Sequence, residues 1–265
     1  LSFDTTGKNS NETVQIVKTV VPMLFSFILY FMLIIYSQNV CRSVAIEKTS
    51  KLMDTLLTSV HPYALIAGKV LANVVIALGQ FTLWIASGVI GLFAGNAIAR
   101  QIYPDFENIA VTLIKFLRDN IGSSALSVPA IIMAIFILCL GFLFYSVIAG
   151  LAGSTVSKPE ETASSQGYFN MIIFVSWIVT YVTAGSSNKA LTTALRYIPL
   201  TSPFSLPADL IIGSMSLVQG LLSIIILLAF TLLVIRLSAK IYKGLVLYNG
   251  QKFNLKLIAN ILKSN

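Results

Sequence analysis

Long apolar runs alternate with shorter polar segments along this chain of 265 residues. A helix needs roughly 20 mostly apolar residues to cross about 30 Å of hydrocarbon, because each residue adds about 1.5 Å. Five runs reach that length with their flanks, and they predict five transmembrane helices in an all-α polytopic membrane protein. The runs cover residues 20–36, 70–93, 129–152, 169–184 and 217–237.

Residues 42–61, which we call the amphipathic segment, form the most charge-dense stretch between two apolar runs. Charged and apolar side chains alternate there at intervals that give a helix one polar and one apolar face. Pro62 predicts the start of a new helix, because proline suits the first helical turn. We therefore expect the segment to lie along the membrane surface and to present a folded, charged element to a soluble partner.

Three further segments are expected outside the spans. Residues 104–122 are predicted to form a surface helix, because proline and acidic residues stand at the start and basic residues at the end. Pro199, Pro203 and Pro207 exclude one continuous spanning helix, so we predict short broken helices that dip into the membrane edge. Polar residues 1–18 are interpreted as the remnant of an extracytoplasmic segment, and residues 239–265 as a basic tail.

Small residues recur at four-residue spacing in two spans. Ser87, Gly91 and Gly95 predict a face where another helix approaches closely, and the end of the third span repeats this spacing at Ala149, Gly153 and Ser157. One turn separates Gln80 from Trp84, and this pair fits a transport pathway or packing between helices equally well.

Composition supports the membrane assignment. Only 11% of residues are charged and 56% are hydrophobic, whereas soluble domains carry about a quarter charged residues. Placing the amphipathic segment inside the cell puts eleven of the 18 Lys and Arg residues there, as the positive-inside rule requires. The C-terminus is then cytoplasmic and the N-terminus is outside. Nucleic-acid binding needs clustered basic residues with aromatic platforms, which this sequence lacks.

The chemistry of the spans points to an external source of energy. No predicted span centre holds Asp, Glu, Lys, Arg or His, although gradient-coupled transporters usually keep an ionisable residue in the membrane. The sequence also lacks a G-x-x-x-x-G-K-[ST] motif for nucleotide hydrolysis. We therefore expect no catalytic residue, metal or cofactor on this chain.

Four patches resemble type-II ABC exporter permeases, and the last three of them look like the NatB-like sodium-efflux branch. The first is V-A-I-E-K-T-S-K-L-M-D-T-L-L-T-S-V-H-P-Y-A-L-I-A-G-K-V-L-A at 44–72. The others are P-E-E-T-A-S-S-Q at 159–166, I-P-L-T-S-P-F-S-L-P-A-D at 198–209 and A-K-I-Y-K-G-L-V-L-Y-N-G-Q-K at 239–252. Such permeases usually have six spans with a large extracytoplasmic domain between the first two. The resemblance therefore implies an N-terminally truncated chain whose permease domain is residues 19–265.

The resemblance also implies how the chain works. Two permeases, identical or homologous, pair in the plasma membrane of a bacterium or archaeon, with ATP and Mg²⁺ held by cytoplasmic ATPase subunits. The amphipathic segment becomes the coupling helix, and the stretch with Pro199, Pro203 and Pro207 becomes an outer gate. The small-residue face of the second span serves helix packing or dimer contact. Efflux of Na⁺ or a small amphipathic compound would follow. The coupling residues are Glu47, Lys48, Lys51, Asp54, Leu56 and Leu57.

Two other classes of protein stay open. A membrane-anchored sensor or assembly factor would dock a soluble regulator with the same amphipathic segment and would show no flux. An intramembrane hydrolase could use the adjacent acidic pair Glu160 and Glu161. Such enzymes use acidic pairs with histidines, and His61 is the only histidine. We therefore prefer to interpret the acidic pair as part of a solvated loop, with Pro159 starting a helix.

Overall fold

The computed structural model describes residues 7–50, 62–104, 106, 127–156, 158–184, 186 and 188–247. The secondary structure of these residues is entirely helical, with seven α-helices and one short 3₁₀ turn at Pro159–Glu161. The α-helices are α1 Gly7–Thr49, α2 Pro62–Ile102, α3 Val128–Ser154, α4 Thr162–Ala184, α5 Lys189–Leu195, α6 Ser202–Ile211 and α7 Leu217–Leu247.

Five of these helices are long and apolar enough to cross a membrane, and each contains one of the five predicted runs. The all-α polytopic fold with five spans is therefore confirmed. The candidate spans are Lys18–Thr49, Ala67–Ile102, Val128–Ser154, Thr162–Ala184 and Leu217–Ile241. The predicted helix start at Pro62 is also confirmed, because α2 begins at this residue.

The largest difference between the predicted and the observed helices concerns α1. Its 43 residues form one helix, about 65 Å long at the usual rise. Residues 42–49 therefore extend the first span and do not begin a separate surface helix, because neither glycine nor proline interrupts the chain between Pro22 and Thr49. Residues 7–18, expected as a loop remnant, form the start of the same helix. The tail from residue 239 likewise continues α7 as far as Leu247.

The helices alternate in direction around a central α3. The C-terminal ends of α1 and α3 lie together, since a Cβ atom added at Gly153 would overlap the carbonyl oxygen of Cys41. Ala149, one turn earlier, is fully buried. Close packing at the small residues that end the third span is thus confirmed for these two positions. We refer below to the Lys48 end and the Lys18 end of the bundle.

The small-residue face of α2 behaves differently. Ser87, Gly91 and Gly95 are exposed, and a Cβ atom added at either glycine would meet no atom of the described chain within 4 Å. Packing of this face against another helix of the described chain is therefore not observed. Contact with a second protein molecule stays a prediction.

The proline-rich stretch folds as the two short helices α5 and α6. Pro199 lies in the turn between them, Pro203 occupies the first turn of α6, and Pro207 lies inside it. Short broken helices at these prolines are therefore confirmed. All three prolines are buried. Gly213 then ends α6 with a positive φ of 68°, a conformation that glycine adopts without strain.

The turn between α5 and α6 reaches deep into the bundle. The Tyr145 hydroxyl on α3 donates a hydrogen bond to the Leu200 carbonyl at 2.5 Å. A Cβ atom at Gly141 would lie only 2.8 Å from Cβ of Pro203. Because Gly141 lies about 20 Å along α3 from its first residue, α6 begins near the middle of that helix.

Candidate functional site

An ion pair joins two helices at the Lys48 end. Glu47 near the end of α1 accepts a charged hydrogen bond from Lys69 near the start of α2. The two side chains keep only 22% and 18% exposure, respectively. The pair therefore joins the last turn of α1 to the second turn of α2. Glu47, expected to face a soluble partner, is held by its own chain.

Lys48 lies on the inner side of the same turn. Lys48 is only 8% exposed, and its Nζ donates a hydrogen bond to the carbonyl of Ser154 at 2.5 Å. Ser154 is the last residue of α3, and the last carbonyls of a helix lack partners within it. An ammonium group there also complements the negative end of the helix dipole. The structure therefore gives Lys48 the role of a cap that joins α1 to α3.

The remaining predicted coupling residues lie outside the described residues. They are Lys51, Asp54, Leu56 and Leu57. His61 lies there as well, and so does almost all of the predicted surface helix at 104–122. Their assignment as coupling or surface elements stays a prediction.

A polar cavity of about 380 Å³ opens between α1 and the start of α4 at the Lys48 end. Arg42 and Glu160 line it together with amide and hydroxyl side chains. Nearby, Nε2 of Gln38 donates to Oδ1 of Asn170 at 3.0 Å, which ties α1 to α4. Within the described ranges, no three His, Cys, Asp or Glu residues cluster closely enough to hold a metal ion.

A larger cavity of about 430 Å³ lies at the Lys18 end, between α1, α4, α5 and α6. Its charged lining consists of Lys18, Lys189, Arg196 and Asp209. Serine and threonine side chains from all four helices complete the polar wall. They include Ser26, Thr183, Thr193 and Ser205.

The Arg196–Asp209 ion pair forms the inner wall of this cavity. Nε of Arg196 donates to Oδ2 of Asp209 at 2.8 Å, and the side chains are 15% and 8% exposed. Burial raises the pKa of the Asp209 carboxyl, and the adjacent guanidinium of Arg196 opposes that shift. The pair joins α6 to the residue that follows α5, so it fixes the hairpin that these helices form.

Sequence reasoning missed this pair. A usable signal was present, because Asp209 follows Leu-Pro-Ala and precedes Leu-Ile-Ile. A carboxylate in so apolar a stretch requires a buried partner, and Arg196 is a nearby cation in the chain.

The predicted gate prolines flank the cavity without lining it. Phe204 and Ser205, between Pro203 and Pro207, do contribute to its wall. The alternatives for the Gln80 pair are also decided in part. Gln80 accepts a hydrogen bond from the Tyr36 hydroxyl and so joins α2 to α1, whereas Trp84 is 49% exposed on the outside of α2.

Comparison with known proteins places the chain in a family. The family model described as "ABC-2 family transporter protein" matches residues 1–240. The chain belongs to the ABC-2 family. The resemblance to type-II exporter permeases is thus confirmed at the level of the family. The NatB-like branch and the N-terminal truncation stay predictions.

Two similar proteins are themselves uncharacterized. This ABC-2 protein is 24% identical over 257 residues to YhaP of Bacillus subtilis, a match that covers 97% of this chain and 58% of YhaP. It is 23% identical over 262 residues to MJ1024 of Methanocaldococcus jannaschii, covering 99% of this chain and 58% of MJ1024. The chain therefore spans less than two thirds of the length of these relatives. No solved structure matches it.

Proposed function

We propose that this ABC-2 protein is the membrane-spanning permease subunit of an ATP-driven exporter. The observation that carries the proposal is the family match over residues 1–240. In this assignment a separate cytoplasmic ATPase subunit binds ATP and Mg²⁺, and this chain binds neither. The chain itself is a transport component and not a hydrolase.

The amphipathic segment is the proposed contact with the ATPase. Its first eight residues, 42–49, end α1, and its last residue precedes Pro62 at the start of α2. The Glu47–Lys69 pair ties these two helices together. Lys48 adds a link to α3. A force applied to the segment would therefore act on three spans together, which is what coupling to a motor requires.

Continuity of α1 supports the same mechanism. The helix runs without interruption from the Lys48 end to the larger cavity, which Lys18 and Ser26 line. A rigid helix transmits rotation or tilt along its whole length. Movement imposed by ATPase closure would thus reach the cavity wall and the α5–α6 hairpin, the proposed outer gate.

Orientation and partners complete the proposal. In this proposal the Lys48 end and the C-terminus lie in the cytoplasm of a bacterial or archaeal cell and the Lys18 end lies outside, an orientation that the positive-inside rule favours. A second permease copy, identical or homologous, would pack on the exposed α2 face of Ser87, Gly91 and Gly95. Small residues there allow two helix backbones to approach closely.

For the substrate we propose a small amphipathic compound and keep Na⁺, suggested by the NatB-like resemblance, as the alternative. Hard cations prefer sites built from several oxygen ligands with negative charge. Among the described residues, Asp209 is the one carboxylate that lines the larger cavity, and it is already bound to Arg196. The other charged groups of that wall are the cations Lys18 and Lys189, which repel Na⁺.

Co-purification tests the proposal. The full-length protein is isolated from its native membranes in mild detergent, and the proteins that accompany it are identified. We expect a nucleotide-binding subunit in a stoichiometric amount, with ATP-dependent efflux from reconstituted vesicles. A soluble regulator without ATPase activity would refute the exporter assignment and favour the sensor alternative. Vesicles assayed with ²²Na⁺ and with an amphipathic dye separate the two substrate classes.

A further inference from the structure

We propose that the larger cavity at the Lys18 end binds the phosphate group of an anionic amphiphile. The inference goes beyond the proposed function, because a headgroup can bind there whether or not the chain exports it. It is carried by the charge of the cavity wall, its unused hydrogen-bond donors and the apolar surface beside it.

The cavity wall is positively charged. Among the described residues, the cavity has four charged side chains, of which three are cations, and the carboxylate of Asp209 is neutralised by Arg196. Among the described residues, neither Lys18 nor Lys189 has an acidic partner. Two ammonium groups without a described acidic partner, around a space of about 430 Å³, favour an anionic ligand.

Hydrogen-bond donors on the wall fit a group with several acceptor oxygens. Arg196 uses its Nε on Asp209, and no described atom accepts from its terminal nitrogens. Ser205 Oγ is buried and has no hydrogen-bond partner within the described chain. Unused donors of this kind are costly unless a ligand satisfies them. A phosphate offers more acceptor oxygens than a carboxylate, so it can engage both lysines, the guanidinium and a hydroxyl at once.

The outer surface next to the cavity indicates an amphiphile. Lys18, Pro22 and Ser26 line the cavity on one face of α1, while Leu24 and Phe27 on a neighbouring face of the same turns are 60% and 45% exposed. On α4, the side chain of Val182 is also 65% exposed beside Thr183 of the wall. A molecule with its phosphate in the cavity could therefore lay an acyl chain on α1 and α4.

Native mass spectrometry of the detergent-solubilised protein tests the inference with dioctanoyl phosphatidylglycerol, dioctanoyl phosphatidylcholine and inorganic phosphate. We expect phosphatidylglycerol to bind more tightly than phosphatidylcholine, whose choline carries a positive charge toward the two lysines. The double substitution Lys18→Gln with Lys189→Gln should weaken phosphatidylglycerol binding about tenfold or more, because it removes two charge-assisted contacts. The substitutions Arg100→Gln and Lys158→Gln remove the same charge away from the cavity and should leave binding unchanged.

Inorganic phosphate distinguishes the source of the anion. Competition by millimolar phosphate would show that the free ion enters the cavity from water, whereas binding of phosphatidylglycerol without competition would show a headgroup delivered from the membrane. Ser205→Ala keeps the charge and the fold and should weaken lipid binding severalfold, with a melting temperature that is unchanged or higher because an unpaired buried hydroxyl is removed. Equal binding of both lipids, or equal weakening by the cavity and the control pairs, would overturn the inference.

Discussion

Reversing the charge of Glu47 gives the sharpest test of the coupling mechanism. Glu47→Lys removes the ion pair with Lys69 and places two ammonium groups together at the flanks of the amphipathic segment. At an effective dielectric constant of 20 and a relaxed separation of about 4 Å, two like charges repel by about 4 kcal/mol. Partial solvent access, near one fifth of each side chain, lets the groups move apart. We therefore expect a net cost of about 1 to 3 kcal/mol.

A cost of that size would separate the end of α1 from the start of α2 about five- to 150-fold more often. The assay is vanadate-sensitive ATPase activity of the reconstituted complex, together with the amount of ATPase subunit that co-purifies. Both should fall in Glu47→Lys while the amount of inserted permease stays constant.

The charge swap Glu47→Lys with Lys69→Glu is the matched control. It restores an ion pair between α1 and α2, so it should recover most of the coupled activity if the pair acts by positioning the segment. A swap as inactive as the single variant would show that Glu47 instead touches the ATPase directly. Full activity of the single variant would refute the assignment of the segment as the coupling element.

Three further predictions concern the bundle itself. Arg196→Met should lower the stability of the solubilised protein by about 3 to 5 kcal/mol, since it leaves a buried carboxylate unpaired; adding Asp209→Leu should recover much of the loss in thermal melts. Gly153→Ala should destabilise the α1–α3 contact by about 1 to 3 kcal/mol, whereas Gly91→Ala should leave the melting temperature of the monomer unchanged and alter only dimer content in cross-linking. Lys48→Met should lower the melting temperature through the loss of a helix cap worth about 1 to 2 kcal/mol, and equal stability would exclude the cap.

Run length alone made the five spans predictable. An uncharged stretch of about 20 residues has few alternatives to a spanning helix, and prolines mark helix boundaries by their fixed φ and missing N–H. Pro62 and Pro203 therefore allowed the start of α2 and the broken helices of the hairpin to be predicted. The end of α1 did not follow from its pattern, because residues 42–49 have the same amphipathic spacing on a membrane surface as in an extended span.

Contacts between residues that lie far apart in the chain could not be predicted from the sequence. The spacing of small residues is alike at Gly153 and at Gly91, yet only Gly153 touches another helix of the described chain. Lys48 has the sequence features of a surface contact, but its partner is a carbonyl 106 residues further along the chain. The cavity at the Lys18 end depends on four helices at once, so local pattern could not indicate it.

Because α1 is continuous, the direction in which the side chains at one end point determines the direction at the other end. Every residue of a helix turns the chain by about 100° and advances it by about 1.5 Å. Inserting a single residue near its middle would therefore leave Lys18 and Ser26 facing the cavity while turning Lys48 away from the end of α3. The side chains at the two ends of α1 therefore keep a fixed angle to each other around the helix axis. Insertions or deletions in α1 should be tolerated only when they preserve that angle, which requires whole helical turns.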